Sequence, residues 1–261
     1  MNPIKLALTY LRIGVLNEMQ YRINFFIQLL QSFISVATGL IGLSLVFGQV
    51  TTLAGWSRPE LLAVMGVHLL MGGVIRSIIQ PNMERLMDDV RNGTLDFALT
   101  KPADAQTLVS VREFRFWQLV DVIVGMVVIG IAFIQLKGTL GVLQLLGFLA
   151  ALIMGGIMLY CVWLMVTSIS FWVIRVHEIS NLFEGLYAAG RWPVGIYPDW
   201  LRTGLTFLVP VAFAVTVPAE ALTNRLSGTS LLFALGMTAL FVLLSRGLWR
   251  LGLSNYSGAS S

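Results

Sequence analysis

The sequence predicts an all-α integral membrane protein, with six membrane-spanning helices, an interfacial helix ahead of them and both termini in the cytoplasm. Three observations lead there. Of 261 residues, 57% are hydrophobic and 11% are charged, against roughly 25% charged in a soluble domain. The apolar residues fall in runs near the ~20 residues that a helix needs to cross a bilayer. None of the runs alternates apolar with polar residues as a membrane barrel requires, so backbone groups in lipid must bond within helices. The length suits one membrane domain, residues 1–261, and no sizeable soluble one. The lone Cys161 allows no internal disulfide and, in an apolar run, reads as a small buried hydrophobe.

Residues 1–22 lack the apolar core and small-residue cleavage site of a signal peptide. Ile4, Ala7, Leu8, Leu11 and Val15 share one helical face, and Lys5, Thr9 and Arg12 lie opposite. That pattern predicts an amphipathic interfacial helix over residues 1–23. The first span, 25–47, carries no charge. The second, 61–79, is interrupted by His68 and closed by Arg76. The third, 116–136, has Asp121 near its start. The fourth runs charge-free from 142 to about 174, and the last covers 231–244. The fifth crossing is open between two readings. Hydropathy favours 203–222, broken by Pro210 and Pro218, with 178–202 as a cytoplasmic segment. The alternative is a helix over about 178–194, with 193–198 outside and 203–222 as a re-entrant hairpin in the outer leaflet. That second helix would carry Glu184 and Arg191, unusual for a lipid-facing span.

The basic residues orient the chain. Lys5, Arg12 and Arg22 precede the first span. Arg76, Arg85, Arg91, Lys101, Arg112 and Arg115 crowd the end of the second and the loop after it, and Arg175, Arg246 and Arg250 end later ones. Arg58 and Lys137 stand alone in the intervening loops. Basic-rich loops belong in the cytoplasm, and an even number of crossings places both termini there.

The loop after the second span predicts a short helix over 81–93. Pro81 suits a first turn, and Asn92-Gly93 suits a stop. Met83, Leu86, Met87 and Val90 form an apolar stripe. Glu84, Asp88 and Arg91 line the other side, and Arg85 and Asp89 are spaced for an i,i+4 pair. Arg175, His177 and Glu178 make a second cluster on the same side of the membrane. His68 and Asp121, the ionisable groups inside apolar runs, are candidates for a translocation path. Asp121 is also placed to pair with Arg115 or Arg175. There is no G-x-x-x-x-G-K-[ST] phosphate loop, and two distant histidines make no zinc site. Asp88 and Asp89 are adjacent and share no helical face. The expectation is therefore a chain with no catalytic residues and no cofactor, surrounded by membrane lipids and not nucleic acid, whose energy comes from another chain or an ion gradient.

Two stretches carry a resemblance. Residues 91–102, RNGTLDFALTKP, resemble the G-x-L-D-x-x-L-x-x-P segment of ABC-2-type transporter permeases. Residues 192–202, WPVGIYPDWLR, followed by Pro210-Val211-Ala212-Phe213 and Pro218-Ala219, are similar to the P-x-x-I-[YF]-P-x-W-L-R, P-[VA]-A-F and P-A pattern of a bacterial subfamily with short six-helix chains. Tyr21-Arg22-Ile23-Asn24-Phe25, at the mouth of the first span, also fits. The order and spacing agree along nearly the whole chain. The resemblance implies the membrane subunit of an ABC exporter in the bacterial cytoplasmic membrane. It implies two ATP-binding subunits as partners and a second permease chain, identical or paralogous. It also implies that 81–93 is a coupling helix docking in a groove of the ATPase through Met83, Glu84, Leu86, Met87, Asp88, Val90 and Arg91, with Arg175, His177 and Glu178 as a second contact. It favours the re-entrant alternative for the fifth crossing. The competing readings are a secondary transporter, for which internal repeats and midplane charges would speak, and a non-transporting scaffold. The apolar spans favour a lipid-like or amphipathic cargo over an ion.

Overall fold

A computed structural model describes residues 22–102, 104–136, 141–173 and 177–256, together with Thr9, Tyr10, Arg12 and Leu16; of Arg22 and of residues 177–180 it describes only the backbone. The interfacial helix expected over 1–23 thus falls mostly outside the described residues. Among them, five helices are long and apolar enough to cross a membrane. They are α1, Arg22–Phe47; α2, Arg58–Asn92; α3, Phe116–Leu136; α4, Val142–Phe171; and a last helix, Gly228–Asn255. Between α4 and that last helix lie α5, His177–Ala189, and a pair, α6, Asp199–Leu208, and α7, Ala212–Leu222, bent by 78° at the break between them. The last helix is α8. No strand occurs among the described residues.

The helix ends sort into two faces. At the basic-rich face, Phe25 at the start of α1 packs 5.4 Å from the Trp117 ring at the start of α3. Phe171 at the end of α4 meets Trp249 of α8 at 5.7 Å. At the basic-poor face, Arg225 after α7 grips Glu60 of α2 through Nε at 2.7 Å and Nη2 at 2.9 Å, and its guanidinium lies 4.9 Å from the Trp56 ring centroid. Gln144 of α4 reaches Asn224 at 2.9 Å on that same face. The described spans therefore begin and end at one face.

Prolines shape three places. The π turns Ile75–Ile79, Gly204–Leu208 and Ala212–Thr216 each end two residues before a proline: Pro81, Pro210 and Pro218. A proline has no N–H and its ring presses on the carbonyl four residues back, and widening the preceding turn makes room. At Pro81 the helix survives, because the carbonyl of Ser77 takes the backbone N–H of Arg115 at 2.9 Å instead. The helix expected over 81–93 is therefore the unbroken continuation of the second span. At 1.5 Å per residue α2 is about 52 Å long, some 20 Å more than a ~30 Å hydrocarbon layer needs. It stops at Gly93, whose φ of 69° only glycine adopts at no cost.

Close backbone contact holds the centre. A Cβ on Gly125 of α3 would stand 2.5 Å from the Leu70 nitrogen of α2, and one on Gly155 of α4 would stand 2.6 Å from Ala214 Cα of α7. Small residues of this kind let helices approach where lipid supplies no hydrophobic drive.

The fifth crossing is built in pieces. With 13 residues, α5 rises about 20 Å and runs antiparallel to α2. Glu184 lies beside Gln80 at 2.6 Å, and the Tyr187 hydroxyl donates to the His68 carbonyl at 2.8 Å. Residues 178–202 are thus not a loop outside the membrane, since Tyr187 is buried against the middle of α2. The helix ends at Ala189, short of the expected 194, where Gly190 and Pro193 follow. The chain leaves this depth at Gly190 and returns to it at Val211, beside Gly190, as a hairpin broken at Pro210. Then α7 climbs to the basic-poor face.

Candidate functional site

Two clusters of polar side chains stand out, one inside the bundle and one at its basic-rich end. The first is a chamber between α1, α2, α4 and α5. Its floor is a buried carboxylate: Asp121 of α3 is 3% exposed. Asp121 takes Arg76 Nη2 at 2.5 Å, Gln28 Nε2 at 3.0 Å and the Ser32 hydroxyl. Gln28, Ser32 and Ser35 repeat at i, i+4, i+7, so α1 turns one polar stripe inward. A cavity of about 210 Å³ opens above this floor, with His68, Arg76, Gln80, Trp163, Glu184 and Arg191 in its walls. A second, of about 260 Å³, shares Ser35, Leu69 and Arg76 with it as walls and is also lined by Asp121. His68 is stacked on Tyr187, with ring centroids 4.6 Å apart. Counted along α2, the chamber runs from about 15 Å to about 33 Å below Arg58. That is bilayer middle to basic-rich interface.

The second cluster is a clamp. The extension of α2 beyond Gln80 is gripped by residues 110–118, the chain leading into α3. Asn82 donates to the Glu113 carbonyl at 2.8 Å and accepts the Glu113 N–H at 2.9 Å. Three ion pairs follow in antiparallel order: Glu84 with Arg115 at 2.8 Å, Arg85 with Glu113, and Asp89 with Arg112 at 2.8 Å. The last is nearly buried, with side chains 14% and 11% exposed. Asp104 caps the helical turn Ala105–Val109 beside it, accepting the Thr107 N–H at 2.9 Å, which holds the Asp104 carboxyl below its ordinary value.

The clamp and the packing around it correct three expectations. Arg85 and Asp89 do not pair with each other, because each has a partner across the fold. Asp121 pairs with Arg76 and not with Arg115, which Glu84 has taken. The apolar stripe is not free for a partner: Met83 and Leu86 are fully buried and Met87 is 2% exposed, with α4 and its end packed against this helix. Val90 is half-buried. Of the residues proposed for docking, Asp88 and Arg91 stay exposed and Glu84 is engaged in the clamp. Arg175 lies outside the described residues, and His177 and Glu178 are described only as the start of α5.

Both intramembrane candidates fall in one place. His68 lines the upper cavity and Asp121 the lower, with Arg76 shared. Sequence reasoning missed Gln28, Ser32, Gln80 and Trp163 as members, and treated Glu184 and Arg191 as an oddity. The signal was present in those two charges and in the inward polar repeat of the first span. The clamp residues Asn82, Arg112 and Glu113 carried none, since their partners lie 23 to 31 residues away along the chain.

Two comparisons bear on this geometry. A family model described as ABC-2 family transporter protein matches residues 33–260. No curated protein matches the sequence.

Proposed function

The chain belongs to the ABC-2 family of transporter proteins, a multi-pass membrane family, and from that premise we propose that it is the permease subunit of an ATP-driven exporter. Two separate ATP-binding subunits dock on its basic-rich face, taken as cytoplasmic. A second permease chain, identical or paralogous, completes the path. One observation carries this reading: α2 is one unbroken helix that lines the chamber with His68 and Arg76 and is about 20 Å longer than a hydrocarbon layer needs. A push on its tip is transmitted along a rigid rod, and the clamp makes α3 move with it. The docking face is the side the clamp leaves bare, with Asp88 and Arg91 exposed, and the turn after it, where Phe97 is 74% exposed. A large aromatic ring on a polar turn is the kind of anchor that a partner's pocket takes. ATP acts by favouring one permease state over another.

The test is a cysteine at Arg91 in a Cys161→Ala background, with a short bifunctional thiol crosslinker on native membranes. The expected result is a covalent adduct with a chain that carries a phosphate loop and hydrolyses ATP, lost in Phe97→Asp. An accessible cysteine that yields no such adduct overturns the docking face. ATP hydrolysis by the purified chain alone, lost on mutating it, overturns the assignment of the energy source.

A further inference from the structure

The chamber holds buried ring nitrogens that have no partner. Trp163 is fully buried and His68 is 8% exposed. Trp163 Nε1 and His68 Nδ1 both lack a hydrogen-bond partner, and both residues line the same cavity. An indole N–H can only donate. Arg191 stands in the same wall, half-buried; its backbone N–H bonds the Ala188 carbonyl at 3.2 Å, and among the described residues its guanidinium makes no hydrogen bond or ion pair. Arg76 is paired with Asp121, and Glu184, a carboxylate in the same wall, accepts from the neutral Gln80 amide at 2.6 Å. A buried donor without an acceptor costs about 1–3 kcal/mol, and a guanidinium at membrane depth is costly and marks function by default. An indole N–H, an imidazole that donates from Nδ1 in one of its two neutral tautomers, and a guanidinium with no side-chain partner around one space suit a ligand rich in acceptors and negatively charged.

Extending the permease reading, we propose that this chamber binds an oxyanion, a phosphate or carboxylate group, between Arg191, Trp163 and His68. The cargo class is then an anionic amphiphile or a free anion, and the cavity of about 210 Å³ has room for such a group but not for a lipid's chains. The chains would leave along the exposed apolar side of α1, whose polar stripe forms the opposite wall. Arg191 is held for the role by its place just beyond the end of α5, about two helical turns from Glu184, too far for the two to pair.

The experiment uses the purified full chain in detergent, without ATP or ATPase, so that its outcome is separate from that of the docking test. The probe is a fluorescent short-chain phosphatidic acid, competed with the diacylglycerol of the same chains and with inorganic phosphate. Phosphatidic acid is expected to bind and diacylglycerol not to displace it. Arg191→Gln should weaken binding about tenfold or more, the scale of a charged hydrogen bond, while Arg191→Lys stays within about threefold. Trp163→Phe, which removes one N–H and keeps a flat ring, should cost about fivefold and stands in if Arg191→Gln does not elute as a single species. Competition by millimolar phosphate assigns the site to a free anion, and its absence to a headgroup that needs its chains. Equal displacement by diacylglycerol, or unchanged binding in Arg191→Gln and Trp163→Phe, overturns the proposal.

Discussion

The most apolar stretches of α1 and α2 have the same mean hydropathy, 1.9, yet 78% of that stretch is buried in α2 and 17% in α1. Hydropathy decides what enters the bilayer. It does not decide what packs, because lipid is as apolar as a leucine side chain and gives helices no hydrophobic reason to associate. The difference lies in the minority residues. Gly66, Gly73 and Gly125 let α2 and α3 touch backbone to backbone. In contrast, α1 shows Phe26, Leu30, Phe33 and Leu45 outward, all well over half exposed. It is tied to the bundle largely by its polar stripe: Gln28 and Ser32 on Asp121. One helix is held by shape, the other by a few hydrogen bonds.

The largest effect should come from breaking the packed helix at its extension. Met87 is 2% exposed, so Met87→Asp loses a buried side chain, worth about 2–5 kcal/mol, and buries a carboxylate besides. Permease yield in membranes should collapse, while the amount of ATPase held per surviving permease stays unchanged. A normal yield with the ATPase lost would show that the stripe faces the partner after all. Next comes Gly125→Leu, which drives a side chain into the α2 backbone. Overpacking costs about 1–3 kcal/mol, and a backbone wall cannot yield as a side chain can. Thermal unfolding followed by size-exclusion should move down by several degrees. A Gly130→Leu control, at a position with open space around it, should not move.

These two substitutions show where the sequence was legible and where it was not. Apolar length announces a span, so five crossings and the all-α class could be read from the runs alone. The helix after the second span was legible too, from its 3.6-residue stripe and the Asn92-Gly93 stop. What the stripe faces was not, because periodicity states that a face is buried and never against what. The fifth crossing was legible only as two alternatives, and hydropathy alone favoured the other one for a physical reason. It is assembled from α5 and a broken hairpin, none of them the length of a bilayer, and it carries Glu184 and Arg191 because it lines a chamber. Likewise Asp121 was visible as a buried charge, but its partner was not: Arg115 and Arg76 were equally basic, and only the clamp, which occupies Arg115, selects Arg76.

A smaller effect tests the tie on α1. Asp121→Ala strands Arg76, Gln28 and Ser32. Hydrogen bonds to a charged group are worth about 1.5–3 kcal/mol when buried, but the Arg76 side chain is 40% exposed, which discounts its share. The expected loss is about 1–2 kcal/mol, concentrated in α1. Limited proteolysis at the 48–57 loop should speed up before the bundle melts. If the whole bundle melts earlier with no separate release of the first span, α1 is held by shape like α2 and the contrast fails. Weaker still is Arg85→Gln at the clamp. Its pair with Glu113 is exposed on both sides, 53% and 38%, where such pairs give about 0–1 kcal/mol. Its unfolding midpoint should shift by no more than about two degrees, less than for Asp89→Asn in the buried pair with Arg112.

The smallest effect is the sharpest test of what α1 meets. Phe33 is 69% exposed and points away from this chain. If lipid alone covers it, Phe33→Leu exchanges one apolar surface for another against a solvent that does not discriminate, and neither yield nor unfolding should change. If a second permease chain covers it, the ring sits in a fitted contact, where aromatic residues carry a disproportionate share of affinity. The substitution would then leave the isolated chain as stable as before and shift the monomer–dimer balance in detergent. Crosslinking between cysteines at position 33 in a Cys161→Ala background reads the same contact directly. No shift and no crosslink would make α1 a lipid-facing span and move the search for the partner permease to another helix. A shift of more than about fivefold in dimer dissociation, with an unchanged unfolding midpoint, would mean that the low burial of α1 measures the absence of its partner and not a looseness of its own.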